Sequence, residues 1–110
     1  MNPMSEDDPM CEHFQRAAEL IGKRWNPQVV RALQSGATRF TDIRGAIPQI
    51  SDALLSERLK ELEAHGIAIR TVTPATPVRI HYTLTERGHD LTKVMDELGR
   101  WAERWSTAPA

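Results

Sequence analysis

The sequence predicts a mostly helical α+β fold with a single two-stranded hairpin late in the chain. Apolar residues recur at helical spacing up to Gly66, alternate with polar residues between 67 and 84, and return to helical spacing after Thr85. Prolines, glycines and capping residues separate these stretches into discrete elements. The 110-residue chain is therefore expected to form one domain built from helices and one hairpin.

Three helices are predicted in the N-terminal half of the chain. The first ends at Gly22. The second starts with Asn26 as its N-cap and Pro27 at its first helical position, an arrangement typical of helix starts. The third is short, with Thr41 as its predicted N-cap. It must end before Pro48, because proline cannot continue a helix.

The fourth predicted helix lies in the segment I-S-D-A-L-L-S-E-R-L-K-E-L-E-A-H-G at 50–66. Ser51 is suited to cap it. Leu55, Leu59 and Leu62 follow at positions i, i+4 and i+7, so that they form one apolar stripe for the core. The opposite face mixes small, acidic and basic side chains. A helical wheel places Ala53, Ser56, Glu57 and Lys60 outward, with Asp52 and Arg58 on the flanks.

Residues 67–84 favour a hairpin with one buried face. Apolar and polar residues alternate there on both sides of a turn that contains Pro74 and Pro77. Thr85 then caps a long helix with Glu86 in its first turn. The apolar residues on one face of this last helix are Leu91, Val94, Met95, Leu98, Trp101, Ala102 and Trp105.

A short helix, a tight turn, a second helix and a hairpin in this order predict a winged helix-turn-helix, with one helix added before it and one after it. We expect a flexible acidic tail at 1–10 and the domain at 11–106. The helix-turn-helix spans about 41–65, the wing about 67–84 and the C-terminal helix about 85–105. Winged helices also serve as protein-interaction modules, so topology alone leaves DNA binding and protein binding open.

The charge of the chain is unevenly distributed. Its formal net charge is −1, but residues 1–15 carry four acids and no Lys or Arg, whereas residues 16–87 carry 11 Lys and Arg against 7 acids. A basic middle between acidic ends suits an anionic partner, since the local field steers binding. No apolar run is long enough to span a membrane, and the acidic N-terminus is unlike a signal peptide. A cytoplasmic protein without a membrane partner is therefore expected.

Catalytic chemistry is not indicated. The four histidines are scattered without ligand spacing, and a single cysteine, Cys11, cannot build a Cys-rich site, so no metal or other cofactor is predicted. The sequence contains no nucleophile–base arrangement, glycine-rich phosphate loop or paired-carboxylate motif. These observations argue against an enzyme.

The outward face of the fourth helix suits the major groove of double-stranded DNA. A helix-turn-helix inserts the N-terminal part of this helix, so Ser51, Asp52, Ala53 and Ser56 are expected near the bases. Ala53 can contact a thymine methyl group, and Glu57 can accept a hydrogen bond from cytosine N4. Sequence preference would therefore depend on these short side chains.

Affinity for DNA must come from cations elsewhere, because Asp52 and Glu57 would repel phosphate. The candidate phosphate contacts are Arg39, Arg44, Lys60 and Arg79. The alternative interpretation is a solvated helix face with intrahelical charge pairs such as Glu57 with Lys60, in a winged helix that binds protein and not DNA.

Several segments resemble the HxlR-type bacterial transcription regulators, a branch of winged helix-turn-helix proteins distantly similar to MarR. They occur in the family's order over roughly residues 11–105. One departure is Ala53, where the family often has a lysine or another polar residue. The matching segments are I-G-K-R-W at 21–25, R-F-T-D-I at 39–43, I-S-D-A-L-L-S-E-R-L-K-E-L-E at 50–63, G-I-A-I-R at 66–70 and P-V-R-I-H-Y-T-L-T-E-R-G at 77–88.

The resemblance implies a cytosolic homodimer that binds an inverted repeat in a promoter, as a repressor or activator, often in response to oxidants, electrophiles or small metabolites. It implies that the first and last helices build the dimer interface, for which Phe14, Leu98, Trp101 and Trp105 are the candidates. Large aromatic residues are enriched in interface cores, which favours an interface over intrachain packing for the two tryptophans. A small effector bound between the wing-side core and the last helix is a further hypothesis.

Cys11 is a candidate redox sensor. Some family members use a cysteine before the first helix in this way, although Cys11 lies one residue upstream of the usual place and is followed by Glu12 rather than proline. The reactive form is the thiolate, which a helix start favours and neighbouring acids disfavour. The alternative is an inert thiol in a semi-ordered arm.

Overall fold

The computed structural model describes residues 9–106 and confirms the predicted fold class. Within these residues there are five helices and one antiparallel hairpin, and the order of elements is the one expected of a winged helix-turn-helix. Residues 1–8, most of the predicted acidic tail, lie outside the described part. In chain order the elements are α1 (Pro9–Gly22), α2 (Asn26–Gln34), α3 (Phe40–Ala46), α4 (Asp52–Ala64), β1 (Ala68–Thr73), β2 (Arg79–Leu84) and α5 (Glu86–Arg104).

The core lies where α2, α3 and α4 meet the first half of α5. The predicted leucine stripe of α4 is fully buried there. It packs with Ile43 of α3 and with Val29 and Val30 of α2, all of which are also buried. Burying a side chain of this size stabilises the fold by about 1.5–3 kcal/mol, so the stripe holds α4 firmly by one face and leaves the other free.

The predicted N-caps of α4 and α5 are confirmed. The Ser51 Oγ accepts a hydrogen bond from the backbone N–H of Leu54 at 3.1 Å, which caps α4. The Thr85 Oγ1 accepts from the backbone N–H of Gly88 at 3.0 Å, which caps α5. Each side chain satisfies one backbone donor that has no partner within its own helix.

The predicted caps of α2 and α3 are wrong. Trp25, with a left-handed φ of 78°, precedes α2, and Asn26 is its first helical residue. The Asn26 side chain bonds to groups outside this helix and does not cap it. For α3, the extended residue Arg39 precedes the helix, and its carbonyl already accepts from the N–H of Ile43 at 3.0 Å. Thr41 therefore lies inside the first turn, two residues too late to cap it.

The wing is a hairpin whose register pairs Ala68 with Leu84 and Val72 with Ile80. The predicted buried face holds only at the base of the hairpin, where Ala68 is buried and Tyr82 and Leu84 pack half-buried against the core. Farther out, the apolar side chains of the hairpin are exposed. Its base is fixed by the N–H of Tyr82, which donates to the carbonyl of Thr38 at 2.8 Å. The alternation of apolar and polar residues predicted strands, but it could not show whether another element covers their apolar face.

The base of the wing meets the start of α5 at a close backbone approach. Thr85 N–H donates to the carbonyl of Ile67 at 3.0 Å, and Gly66 takes a left-handed φ of 71° just before it. The Cα of Gly88 packs directly on this carbonyl: a Cβ at that position would lie 2.2 Å from the Ile67 oxygen. Glycine at position 88 is therefore required for the wing and α5 to pack as they do.

The second half of α5 extends beyond the core. Met95 is buried, but the apolar side chains that follow it on the same face are exposed in the single chain. No described helix is long and apolar enough to cross a membrane. The exposed large apolar side chains of α5 are Val94, Leu98, Trp101 and Trp105.

Candidate DNA-binding site

The free face of α4 is the centre of the candidate site. Because the leucine stripe fixes the rotation of this helix, Asp52, Ala53, Glu57 and Lys60 are exposed, and Ser56 is half-buried between the two faces. Ser51, just before the helix, is also exposed, but its hydroxyl is already used as the cap. The residues predicted to read bases therefore lie on one side of one helix, with Ser51 more suited to hold the helix start than to contact DNA.

The four candidate phosphate-binding cations are all exposed. Arg39 and Arg79 are exposed and line one cleft of about 390 Å³, between the start of α3 and the end of the wing that leads into β2. Arg44 lies on α3, where its Nε is 2.5 Å from the Asp52 Oδ1. An exposed ion pair of this kind is worth about 0–1 kcal/mol, so a phosphate can displace the Asp52 carboxylate from Arg44.

Arg58, which the helical wheel placed on a flank of α4, is buried. The residue is only 9% exposed, and its Nε donates to the carbonyl of Arg24 at 3.0 Å. Its Nη1 lies 3.7 Å from a carboxylate oxygen of Glu61. A helical wheel shows only the direction of a side chain on its own helix. It could not show that the turn before α2 packs against Arg58.

Glu61 is the centre of a second set of contacts behind the candidate site. Its Oε2 accepts from the Lys23 Nζ at 2.6 Å, and its Oε1 accepts from the Asn26 Nδ2 at 3.0 Å. The hydrogen bond from Lys23 lowers the pKa of the Glu61 carboxyl below its ordinary value of 4.5, against a smaller opposing effect of burial. Sequence reasoning missed this role, and the I-G-K-R-W motif at 21–25 was the signal that could have pointed to it.

Other chemistry is sparse in the described residues. Between 9 and 106, no three His, Cys, Asp or Glu side chains are grouped as metal ligands would be. Cys11 is a free thiol, half-buried in the first turns of α1. A separate cleft of about 630 Å³ lies against α2, the turn between α3 and α4, and Met95 of α5.

Comparison with known proteins assigns this arrangement to a family. Residues 20–109 match the family model described as HxlR-like helix-turn-helix. The chain belongs to the HxlR-like helix-turn-helix family. The predicted family is thus confirmed, and this HxlR-like chain is a DNA-binding regulator of transcription by family, with relatives that are regulators and not enzymes.

Two relatives of the HxlR-like chain come from Bacillus subtilis (strain 168). The HTH-type transcriptional regulator YvaP is 45% identical over 96 residues, which are 87% of this chain and 89% of YvaP. The HTH-type transcriptional regulator YodB is 46% identical over 96 residues, which are 87% of this chain and 86% of YodB.

Solved structures show the same architecture. Diamide-treated YodB from B. subtilis superposes with a TM-score of 0.78 at 45% identity, covering 89% of this chain and 97% of that one. A transcriptional regulator of MarR family from Enterococcus faecalis V583 superposes with a TM-score of 0.83 at 25% identity, covering 93% of each chain. YodB has also been solved in a quinone-bound form.

Proposed function

We propose that this chain works as a homodimeric regulator that recognises an inverted repeat in a promoter by inserting α4 into the major groove. The observation that carries the proposal is the position of α4: its leucine stripe is buried, and its outward face, which includes Lys60, is exposed. Arg39 and Arg79 are exposed together on one cleft between α3 and the wing. Helix-turn-helix proteins use this arrangement to bring short side chains to base edges.

Base and phosphate contacts are divided among these residues. Ala53 and Glu57 read bases, Ala53 through a thymine methyl group and Glu57 through cytosine N4. Asp52 and Ser56 border them on the same face of the helix. The phosphate contacts are assigned to the four exposed cations, which fix the position of the protein without reading sequence. These cations are Arg39, Arg44, Lys60 and Arg79.

The dimer is proposed to form through α1 and α5. Trp101 and Trp105 are 59% and 69% exposed in the single chain, and Leu98 is 49% exposed on the same helix face. Phe14 of α1 is 67% exposed. A second copy covering this surface would remove an apolar patch that soluble monomers rarely leave open. Two α4 helices in such a dimer would enter major grooves about 34 Å apart, or a multiple of that distance.

Control by oxidants or electrophiles is proposed through Cys11. Support comes from YodB, which has been solved after diamide treatment and with bound quinone. In this chain Cys11 lies on α1, one of the two proposed dimer helices, so modification of its thiol can alter the interface. The cleft beside Met95 is the alternative place for a small-molecule effector. The cytoplasm, where promoter DNA is found, is the proposed compartment.

The test is fluorescence anisotropy of the protein with labelled duplex from its own upstream region and with a scrambled duplex, over a range of salt. Selective binding whose log affinity falls linearly with log salt supports the proposal. Arg79→Ala should weaken binding to all sequences alike and reduce the salt slope by about 1, as expected for one lost phosphate contact. Glu57→Gln should instead change the preferred base at one position.

The sensor role of Cys11 is tested by repeating the titration after diamide treatment. Diamide should lower the affinity of the wild type and leave Cys11→Ser unaffected. An equal response of both proteins would remove Cys11 from the proposal.

A protein-interaction module is the second candidate function, favoured by the exposed acids Asp52 and Glu57 on the helix that would face DNA. It predicts weak binding without salt dependence or sequence selectivity. Selection from a random-sequence library separates this outcome from an operator located elsewhere in the genome.

A further inference from the structure

A compact set of polar contacts joins the back of α4 to the turn between α1 and α2. Glu61 accepts from Lys23 at 2.6 Å and from Asn26 at 3.0 Å, and Arg58 donates to the carbonyl of Arg24 at 3.0 Å. The Asn26 Nδ2 also donates to the carbonyl of Leu20, in the last turn of α1, at 3.0 Å. The Asn26 amide therefore contacts both Glu61 of α4 and the last turn of α1.

The contacts of Asn26 and Arg58 are shielded from water, whereas the Lys23–Glu61 hydrogen bond is exposed. Asn26 is 1% exposed, and the Glu61 side chain is 21% exposed. The Arg58 Nη1 is buried and has no hydrogen-bond partner among residues 9–106, with Glu61 and Glu57 oxygens at 3.7 and 3.8 Å as its nearest charges. Charge-assisted hydrogen bonds in such surroundings are strong, and leaving one partner buried alone is costly.

The turn between α1 and α2 is conformationally constrained, which favours rigid coupling between α1 and α4. Trp25 is held at a left-handed φ of 78°, a conformation that aromatic side chains rarely adopt. The Arg24 guanidinium lies over its ring, 5.0 Å from the centroid. The carbonyl that accepts from Arg58 thus belongs to Arg24, whose own side chain packs on Trp25.

From this geometry we infer that Arg58 and Glu61 are positioning residues, which set the orientation of α4 relative to α1 and transmit movement of α1 to the DNA-reading helix. The inference rests on the proposed function, because it assumes that α1 belongs to the dimer interface and α4 to the DNA site. Both residues lie on α4, three positions apart, at the edge of the face that carries Ala53 and Glu57, with Arg58 buried and Glu61 half-buried. They act through the helix and do not touch DNA.

The consequence for binding is geometric. If α1 fixes the protomer in the dimer, the contacts to Lys23 and Arg24 determine where each α4 points, and hence which separation of half-sites fits both helices. Weakening the contacts lets α4 adopt several orientations. The dimer should then lose its preference for one half-site spacing, even where its affinity for phosphate is retained.

The test measures the affinity of the dimer for a duplex with the best half-site spacing and for duplexes whose spacing is changed by one base pair. Fluorescence anisotropy gives these affinities, and their ratio is the spacing ratio. The variants are Lys23→Gln, Glu61→Gln and the double variant. Lys93→Gln is the matched control, because it makes the same chemical change at an exposed lysine of α5. The Lys23 side chain is 45% exposed, so its substitution leaves the fold intact and keeps the experiment interpretable if Glu61→Gln unfolds.

Each single change should lower the spacing ratio by about fivefold or more, the lower end of ordinary coupling between sites. The double variant should lower it no further than Glu61→Gln alone, because Lys23 acts on α4 through Glu61. Lys93→Gln should keep the wild-type ratio. A purely structural role would lower affinity for every spacing alike and leave the ratio unchanged.

Unchanged ratios in Lys23→Gln and in every folded Glu61 variant would overturn the inference. This result differs from failure of the proposed function, in which the wild type itself binds no duplex selectively. Circular dichroism of each variant establishes that the measured protein is folded.

Discussion

Replacing Gly88 with alanine would force a methyl group into the junction between the wing and α5. The new Cβ would lie 2.2 Å from the carbonyl oxygen of Ile67 and 3.0 Å from the Leu84 Cδ2. The Ile67 carbonyl cannot retreat freely, because it accepts the Thr85 backbone N–H at 3.0 Å. Ordinary contact needs 3.4 Å or more, so this backbone must move by about 1 Å.

The cost can be estimated from three effects. Overpacking of a close contact typically costs about 1–3 kcal/mol. Displacing Thr85 weakens the cap of α5, which is worth about 1 kcal/mol. The better helix propensity of alanine returns about 1 kcal/mol. A net loss of about 2 kcal/mol is expected, equivalent to a fall in Tm of roughly 10 °C for a domain of this size.

Denaturant unfolding followed by circular dichroism, at one fixed protein concentration, measures this loss. Gly45→Ala is the matched control, since Gly45 lies in α3, has no positive φ, and a Cβ there meets nothing within 4 Å. It should stabilise the protein by about 0.4–1 kcal/mol. If Gly88→Ala proved as stable as wild type while Gly45→Ala behaved as expected, the packing of α5 on the Ile67 carbonyl would be refuted.

Three other changes have defined outcomes. Ser51→Ala should lower the free energy of unfolding by about 1 kcal/mol through loss of the α4 cap, measured by urea titration; a change near zero would mean that the Leu54 N–H finds another partner. Trp101→Ser should raise the dimer dissociation constant about 30-fold or more if Trp101 is an interface anchor, measured by sedimentation over a concentration series; an unchanged constant would place the interface elsewhere. Glu61→Gln should be most destabilising near neutral pH. Because folding lowers the pKa of Glu61, its ionised form stabilises the protein above the ordinary value of 4.5, and this stabilisation is lost as pH falls through the folded pKa. The difference between wild type and variant should therefore shrink in unfolding curves from pH 7 to pH 3, and a constant difference would contradict the Lys23 contact.

Features set by local chemistry were predictable from the sequence. The stripe of Leu55, Leu59 and Leu62 follows from helical spacing, and the caps at Ser51 and Thr85 follow from side-chain oxygens that reach their own helix. These interactions span only a few residues, so composition and spacing contain the information. The fold class was correct for the same reason.

Features set by distant partners were not predictable. Asn26 looked like a cap, but its amide is bonded to Glu61, 35 residues away, and Arg58, placed on a flank of α4 by the helical wheel, is bonded to a carbonyl 34 residues away. Residue type and hydrophobic periodicity do not show which segments of the chain will contact each other in the folded protein. The candidate base-reading residues were easier to place, because they occupy the face of α4 opposite the predictable stripe.

The exposure of the wing has a consequence for how such a regulator can diversify. Beyond Ala68, the residues of β1 contribute little to the core, and the hairpin depends on its own ladder and on the bond from Tyr82 to Thr38. Substitutions at exposed positions of this kind usually alter stability by about 0.5 kcal/mol or less. The wing can therefore accumulate changes at almost no folding cost. If the wing contacts phosphate as proposed, such changes would adjust the overall affinity for DNA, while base preference stays with α4, which is tied to the turn after α1.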